Sequence, residues 1–563
     1  MKPFARAILL CTLVILYNET LAQGYQPYWE MPAYQLSSAD SLFLEDLQRD
    51  TFNWFWQKAH SSTGLTPDRS RDASTDNSLI SVAAVGFGLT AYGIGSERGY
   101  VTREQAANRV DHVLNGLLQG KMGRETQGNI GYRGWYYHFI NANTLSRDWN
   151  SELSSIDTAL LLMGVVFVRN YFDDLDSSRE IDIRAKADSI LERVQWPFMR
   201  NPNNNGVSAG WFPESGFIDW EYQGYNEAML LYILGLGAET NPLPTLSWTF
   251  WKFGYRTGTT PHFGANFVRF GPLFGHHYPQ AWIDFAGLRS PELTNPALGE
   301  PYDYFENTRR ATYANRAYCA ANPLSWPNYG ENEWGLTACD GPPGFGFNGY
   351  FARAASDLNP LDDGTIAPTA AGASLVYAPE IVLPALQHMK ATHGSQLYGT
   401  YGFRDAYNDS VNWYDTDYIG IDQGPILMAI ENFRSRMVWL TMRKDPIIQR
   451  GLQRAGFTGG WLDSLTVAVE EPLPIVQIFV LNQNYPNPFN AETQITFELH
   501  EAGKVRVEIF NLLGEKITTL IDEFRPSGAH ALRFSAANLP SGIYGYRLTA
   551  GTNSQSRSMI LIR

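Results

Sequence analysis

Leu79-Ile80-Ser81-Val82-Ala83-Ala84-Val85-Gly86-Phe87-Gly88-Leu89 is apolar almost all round, and the next helical stretch, Arg103 to Leu118, is one-sided with polar residues at helical spacing. A helix with no polar face must be surrounded by protein, whereas an amphipathic one packs with one face and leaves the other in water. The pair therefore predicts an inner and an outer layer. It recurs: Ile156 to Val168 is nearly all apolar, and Arg179 to Val194 alternates charge and hydrophobe. Further apolar helices are expected over Asn226–Leu236, over Ala378–Met389, and from Pro425–Ile430 on through Trp439, with an outer partner after Asp445. Strand-type alternation is sparse before residue 470. The fold class read from this is all-α, an (α/α)6 toroid of about six inner helices ringed by outer ones. Inner helices that all run the same way gather their N-termini at one end, where polar residues from distant segments can share a cleft.

Outward from this core the chain changes twice. At its start, Lys2 and Arg6 precede an apolar run from Ala7 to Tyr17 and then Thr20-Leu21-Ala22, which predicts a signal peptide over residues 1–22. The run is shorter than the ~20 residues a membrane span needs, and Cys11 lacks a lipobox, so no transmembrane span and no lipid anchor are expected. After Pro472-Leu473-Pro474 the pattern turns to period two in Ile495–Leu499, Lys504–Phe510, Ala531–Phe534 and Tyr544–Leu548. Gly, Pro and Asn turns separate these segments, predicting a small all-β immunoglobulin-like sandwich. The domains expected are thus residues 1–22, 23–470 and 475–563.

Composition bounds the partners. The net charge of −14 among 563 residues argues against nucleic acid and against polyanionic polysaccharides, both of which need a concentrated basic surface. Aromatic residues reach 14%, with 16 Trp and 30 Tyr, and suit the flat apolar faces of sugar rings. Cys319 and Cys339 could pair in an oxidising compartment. His276 and His277 are adjacent but have no third ligand at suitable spacing, so neither metal nor cofactor is expected.

Acids stand at the starts of the apolar helices: Asp76, Glu152 and Asp157, Glu227, Glu380 and Asp422. Each alone is explained by helix capping. Taken together they converge on one end of a toroid. The loops beside them carry His138, Trp211, Tyr225, His277, Trp282 and Trp334, read here with Asp157 and Glu380 as substrate-binding residues. Glycosidic cleavage needs an acid that keeps its proton and a carboxylate that activates water or attacks carbon. Glu227, set among aromatics and followed by Ala228-Met229-Leu230-Leu231, suits the acid; Asp422, between Gly420-Ile421 and Gln423-Gly424, suits the base.

These segments also carry a family resemblance. Tyr225-Asn226-Glu227-Ala228-Met229, Gly275-His276-His277-Tyr278 with Trp282-Ile283-Asp284-Phe285, Trp334-Gly335-Leu336-Thr337-Ala338, Asp363-Gly364-Thr365-Ile366-Ala367-Pro368 and Gly420-Ile421-Asp422-Gln423-Gly424-Pro425 resemble the glucoamylase-like domain of glycoside hydrolase family 144. Glu152-Leu153-Ser154-Ser155-Ile156-Asp157 is similar too, and the resemblance spans roughly residues 40 to 460. It implies an (α/α)6 barrel, endo-hydrolysis of β-1,2-glucan with inversion, and catalytic importance for Glu227, Asp422 and Glu152. One departure stands out: after His138-Phe139-Ile140 an acid is expected, and this chain has Asn141. Asn484-Tyr485-Pro486-Asn487-Pro488-Phe489-Asn490 and Pro540-Ser541-Gly542-Ile543-Tyr544 resemble the sorting domain of the type IX secretion system. That resemblance implies export across periplasm and outer membrane to the surface or medium, with the secretion machinery as partner. The competing readings are a polysaccharide lyase, which the acidic balance disfavours, and a non-catalytic surface glycan-binding protein.

Overall fold

In the computed structural model, residues 25–75, 77–294, 301–355, 361–463, 479–499, 502–511, 516–550 and 553–562 are described. The expected signal peptide and Asp76 lie outside them. The chain divides into two compact units, Met1–Leu465 and Thr466–Arg563, and among the described residues no helix is long and apolar enough to cross a membrane.

The first unit is mainly helical. Helix α1 (Ser38–Lys58) opens on a capping box in which Ser37 and Asp40 bond each other's backbone N–H. Helix α2 (Val82–Glu97) is buried from Val82 to Gly95, as its missing polar face requires, and α3 (Arg103–Gln119) lies over it behind a Thr102/Gln105 capping box. Helix α4 (Ser155–Tyr171) is the next buried one, with α5 (Ser178–Glu192) outside it. The buried set continues with α6 (Met229–Gly237), α7 (Phe274–Trp282), the short α8 (Pro368–Gly372) and α10 (Gly420–Arg434), while α9 (Pro379–His393) and α11 (Pro446–Arg454) pack from outside.

Helix α2 packs on α4, α4 on α6, α6 on α7, α7 on α10, and α10 back on α2, so the buried helices close a circuit. Glycine permits the tightest of these contacts. A Cβ on Gly86 of α2 would stand 2.1 Å from the Leu160 carbonyl oxygen of α4, and one on Gly164 would stand 2.2 Å from that of Gly86. Neither backbone can retreat, so any side chain there would force the two helices apart.

Several boundaries differ from the sequence reading. Leu79–Ser81 is a strand, not the first turn of α2, and pairs antiparallel with Phe139–Asn141. Leu153–Ser154 leads into α4 and Tyr418–Ile419 into α10 in the same way. Two- and three-residue strands are too short to show alternation, which is why pattern alone missed them. The run expected through Trp439 breaks at Arg436, whose φ of 59° no helix accommodates. Cys319 and Cys339 are both buried and unbonded.

The second unit is all-β. One sheet orders Phe479–Leu481, Glu492–Leu499 and Gly528–Ser535; the other orders Lys516–Arg525, Gly503–Phe510, Gly542–Ala550 and Asn553–Leu561. Alternate residues, among them Ile495, Phe497, Val505, Val507, Ile509, Tyr546 and Leu548, form its core.

Candidate active site

The short strands carry the chain into the buried helices, and the acidic side chains follow from that placement. His138 donates its backbone N–H to the Glu152 carbonyl, and Val82 N–H reaches the His138 carbonyl, so strand ends from three segments are locked together. On them stands a bridged triad. His138 Nδ1 lies 3.0 Å from Glu152 Oε1, and its Nε2 lies 3.6 Å from Asp157 Oδ1. Burial opposes a charge on His138, yet Asp157 and Glu152 outweigh it and lift the imidazole to about 9. Burial likewise pushes Glu152 up, but the hydrogen bond and charge of His138 prevail and hold its carboxyl below the ordinary value. Asp157, in the first turn of α4 and bonded to the Ser154 cap, is raised by burial despite His138.

Glu227 sits just before α6. Its Oε2 is buried and has no hydrogen-bond partner. Burial is the main reason its carboxyl rises to about 7; its own backbone N–H opposes this, and the charge of Asp157 adds to it. The helix start does not dominate, because Glu227 precedes the first residue of α6 by two positions.

Asp422 lies in the first turn of α10, whose entry is fixed by Gly420 N–H bonding the Asp68 carbonyl at 2.8 Å. It is buried against Asp405, with the Tyr350 hydroxyl 3.5 Å from Oδ2. Asp405 Oδ2 accepts from Asp340 N–H at 2.7 Å, while its Oδ1 is buried and meets no donor. Two buried carboxyls side by side resist carrying two negative charges, so both are pushed up and the pair retains a proton. With that proton on Asp405, Asp405 donates and Asp422 remains the carboxylate. Arg69 steadies the surroundings, pairing with Asp68 at 2.9 Å and Asp340 at 2.5 Å.

The two halves meet. Buried Tyr278 feels Asp422, Glu227 and Asp157, and buried Tyr222 feels Glu227, Asp157 and Glu152; in both, burial first and these charges second push the phenol well above its usual value. Glu152, Asp157, His138, Glu227 and Asp422 are therefore brought to one place. Tyr222, Tyr278, Tyr350 and Asp405 were not singled out from sequence. The acid- and aromatic-rich run Trp413-Tyr414-Asp415-Thr416-Asp417 ahead of Asp422 was the available signal for a larger carboxylate cluster.

Among the described residues, two sets of ligand-type atoms each gather within 4.8 Å: His138, Glu152 and Asp157, and Asp340, Asp415 and Asp417. In the first the imidazolium offsets one of the two carboxylate charges and leaves the group net negative. In the second Arg69 and Arg71 supply the counter-charge, Arg71 Nε standing 2.5 Å from Asp417.

The remaining expectations need correction. Trp282 is fully buried beneath the site, its Nε1 donating to Thr90 Oγ1 at 2.9 Å and its ring 4.8 Å from Phe87. Trp334 is fully buried in a second apolar cluster, and its neighbour Glu333 is held by His393 and Tyr407. Trp211 packs on Tyr132 and Phe198, and Tyr225 stacks on Tyr304 with centroids 5.6 Å apart. His277 bonds Ser374 Oγ at 2.9 Å; burial lowers it to about 3, so it stays neutral. Glu380 pairs with Arg309 at 2.7 Å and with Tyr313 at 2.5 Å. Trp282, Trp334, Trp211, Tyr225 and His277 are buried against the groups named, and Glu380, though partly exposed, is engaged by Arg309 and Tyr313. Trp334→Ala is accordingly expected to cost about 3–5 kcal/mol of stability, read as a lower denaturation midpoint, without the loss of affinity that a ligand-stacking tryptophan would produce.

The family whose sequence model is described as "Putative glucoamylase" matches residues 219–446, and the "Secretion system C-terminal sorting domain" matches residues 483–562. A protein of Bacteroides uniformis described as a "putative glucoamylase" is 32% identical, with a TM-score of 0.66 over 76% of this chain and 100% of its own. An endo-β-1,2-glucanase of Chitinophaga pinensis, solved with sophorotriose and glucose, is 28% identical, with a TM-score of 0.67 over 76% of this chain and 99% of its own. An exo β-1,2-glucooligosaccharide sophorohydrolase of Parabacteroides distasonis is 29% identical over 448 residues, 74% of this chain. The match spans 58% of that relative's length.

Proposed function

Since the chain belongs to the glucoamylase-like proteins of glycoside hydrolase family 144, we propose that it is an exported hydrolase that cuts linear β-1,2-glucan internally with inversion at the anomeric carbon. The observation that carries this reading is the unpartnered, buried Oε2 of Glu227, a carboxyl raised to about 7 whose charge acts on Tyr278 together with that of Asp422. An acid in that state holds its proton at neutral pH and has no internal partner to lose it to.

In the proposed reaction Glu227 delivers its proton to the glycosidic oxygen as the C–O bond breaks. Asp422 takes a proton from water as the water oxygen bonds to the anomeric carbon from the opposite face. Asp405 keeps Asp422 oriented and limits the pair to one negative charge. The His138-bridged Glu152 and Asp157 hold negative potential near the forming oxocarbenium, and Asp157 helps keep Glu227 protonated. The closed circuit of buried helices is read as an (α/α)6 toroid, with residues 23–470 as the catalytic domain and 475–563 as the sorting domain. That second domain supports export by the type IX machinery, with release or retention at the surface as its outcome.

Incubation of the purified protein with linear β-1,2-, β-1,3- and β-1,4-glucans tests this. The expected result is cleavage of the β-1,2-linked polymer alone, to oligosaccharides of mixed length, with the α-anomer first in proton NMR. Sophorose as sole early product would replace endo- by exo-action, a first-formed β-anomer would reject inversion, and no cleavage of any glucan would reject the enzyme reading.

A further inference from the structure

Trp149 is a large apolar side chain near the acidic cluster that the core does not absorb. It is 65% exposed, and its φ of 50° is followed by a φ of 50° at Asn150. Two successive non-glycine residues in the left-handed region are held there only when their surroundings impose it. Here they do. The Arg147 guanidinium, almost wholly buried, donates to the Ser151 carbonyl at 2.5 Å, to the Asn150 carbonyl at 2.6 Å and to Glu214 Oε1 at 2.6 Å. Asp148 N–H reaches the Phe139 carbonyl at 2.9 Å, and Asp148 Oδ1 accepts Trp149 N–H at 2.7 Å. The other Asp148 oxygen accepts from Asn141 Nδ2 at 3.2 Å. This accounts for asparagine at 141: an acid there would set two carboxylates against each other and release the turn that displays Trp149.

The ring that this turn displays is coupled to the site. The indole lies 5.0 Å from the Phe139 ring, and Phe139 stacks on the His138 imidazole with centroids 4.0 Å apart and planes 15° apart. His138 is the bridge between Glu152 and Asp157. A continuous file of rings thus runs from the carboxylates to solvent, and its outer member is a rigidly mounted, exposed indole.

We propose that Trp149 is an outer sugar-binding platform, stacking on the apolar face of a glucosyl unit of the same glucan chain beyond the bond being cut. A pyranose face is apolar and C–H-rich, matching an indole face, while its edge hydroxyls need polar neighbours such as exposed Asn150. The strained mounting fixes the ring before the ligand arrives, so little conformational freedom is lost on binding. The platform rests on the glucan reading proposed above and adds to it a grip on chains long enough to reach past the acid.

The test compares wild type, Trp149→Ala and Trp149→Phe on linear β-1,2-glucan and on its tri- and tetrasaccharides. It adds titration of Glu227→Gln, with and without Trp149→Ala, by the polymer, followed by calorimetry. Trp149→Ala is expected to raise KM for the polymer on the order of tenfold, more than for the short oligosaccharides, with Trp149→Phe recovering part of it. Polymer affinity in the Glu227→Gln background should fall by a similar factor. Equal KM and equal affinity with and without the indole would overturn the platform while leaving the enzyme reading intact. A wild type that neither cuts nor binds the polymer would remove the glucan reading and the platform with it.

Discussion

Glu227→Gln is expected to lower kcat on linear β-1,2-glucan by about 10²–10⁴-fold while the protein stays folded. The amide fills the same volume and cannot release a proton to the leaving oxygen. The pH profile of the wild type follows from the same residue. A carboxyl with a folded value of about 7 is protonated below that pH, so Glu227 sets the alkaline limb and kcat/KM should fall as pH rises through about 7, while protonation of the Asp422–Asp405 pair sets the acidic limb. Stability should move in the same direction. The folded value lies above the ordinary 4.5, so the native state binds the proton more tightly than the unfolded chain, and stability is lost as pH rises from about 4.5 to about 7. Gln at this position does not ionise, and the variant should therefore gain on the wild type over that window. Denaturation midpoints at pH 5 and pH 8 measure this; a variant with wild-type kcat would remove Glu227 from the chemistry.

Asp422→Asn should cost a comparable 10²–10⁴-fold, because no other carboxylate occupies its place at the start of α10. The informative partner experiment is Asp405→Asn. In the wild type, Asp405 Oδ2 accepts Asp340 N–H and its Oδ1 lacks a donor. An asparagine can keep the first bond with its carbonyl oxygen and donate from its amide nitrogen to Asp422, imitating the protonated acid permanently. Asp405→Asn should thus retain most of the neutral-pH rate. Its acidic limb should move to lower pH, since Asp422 no longer shares a proton with a second ionising carboxyl. If Asp405→Asn is as inactive as Asp422→Asn, Asp405 itself is the group that activates water and the roles exchange.

The corrected residues show where sequence reading stops. Glu227, Asp422, Glu152, Asp157 and His138 were legible because each stands where a short strand or turn feeds a buried helix, and charge at such a place is visible as a break in an apolar run. Trp211, Tyr225, His277, Trp282 and Trp334 occupy similar loops in the sequence. Burial against Tyr132, Tyr304, Ser374, Thr90 and the second apolar cluster turns them from ligand contacts into supports. An aromatic side chain carries no mark of which way it faces. In a helical domain with this many of them, most of the aromatic surface is needed to fill the space between helices.

Sequence alone determined the alternation of buried and amphipathic helices, the change to period two after the proline-rich joint, and the acids set at the helix starts. These follow from local rules: a period of 3.6 or 2, and the preference of helix N-termini for oxygen. The proton shared by Asp405 and Asp422, the imidazolium held between Glu152 and Asp157, the solvent-facing Trp149 and the free, buried cysteines were decided by tertiary structure. Each depends on contacts between remote segments, such as Asp340 N–H on Asp405 and Gly420 N–H on the Asp68 carbonyl, and on the burial or exposure that the packing imposes. Neither exists until the chain has closed its circuit of helices.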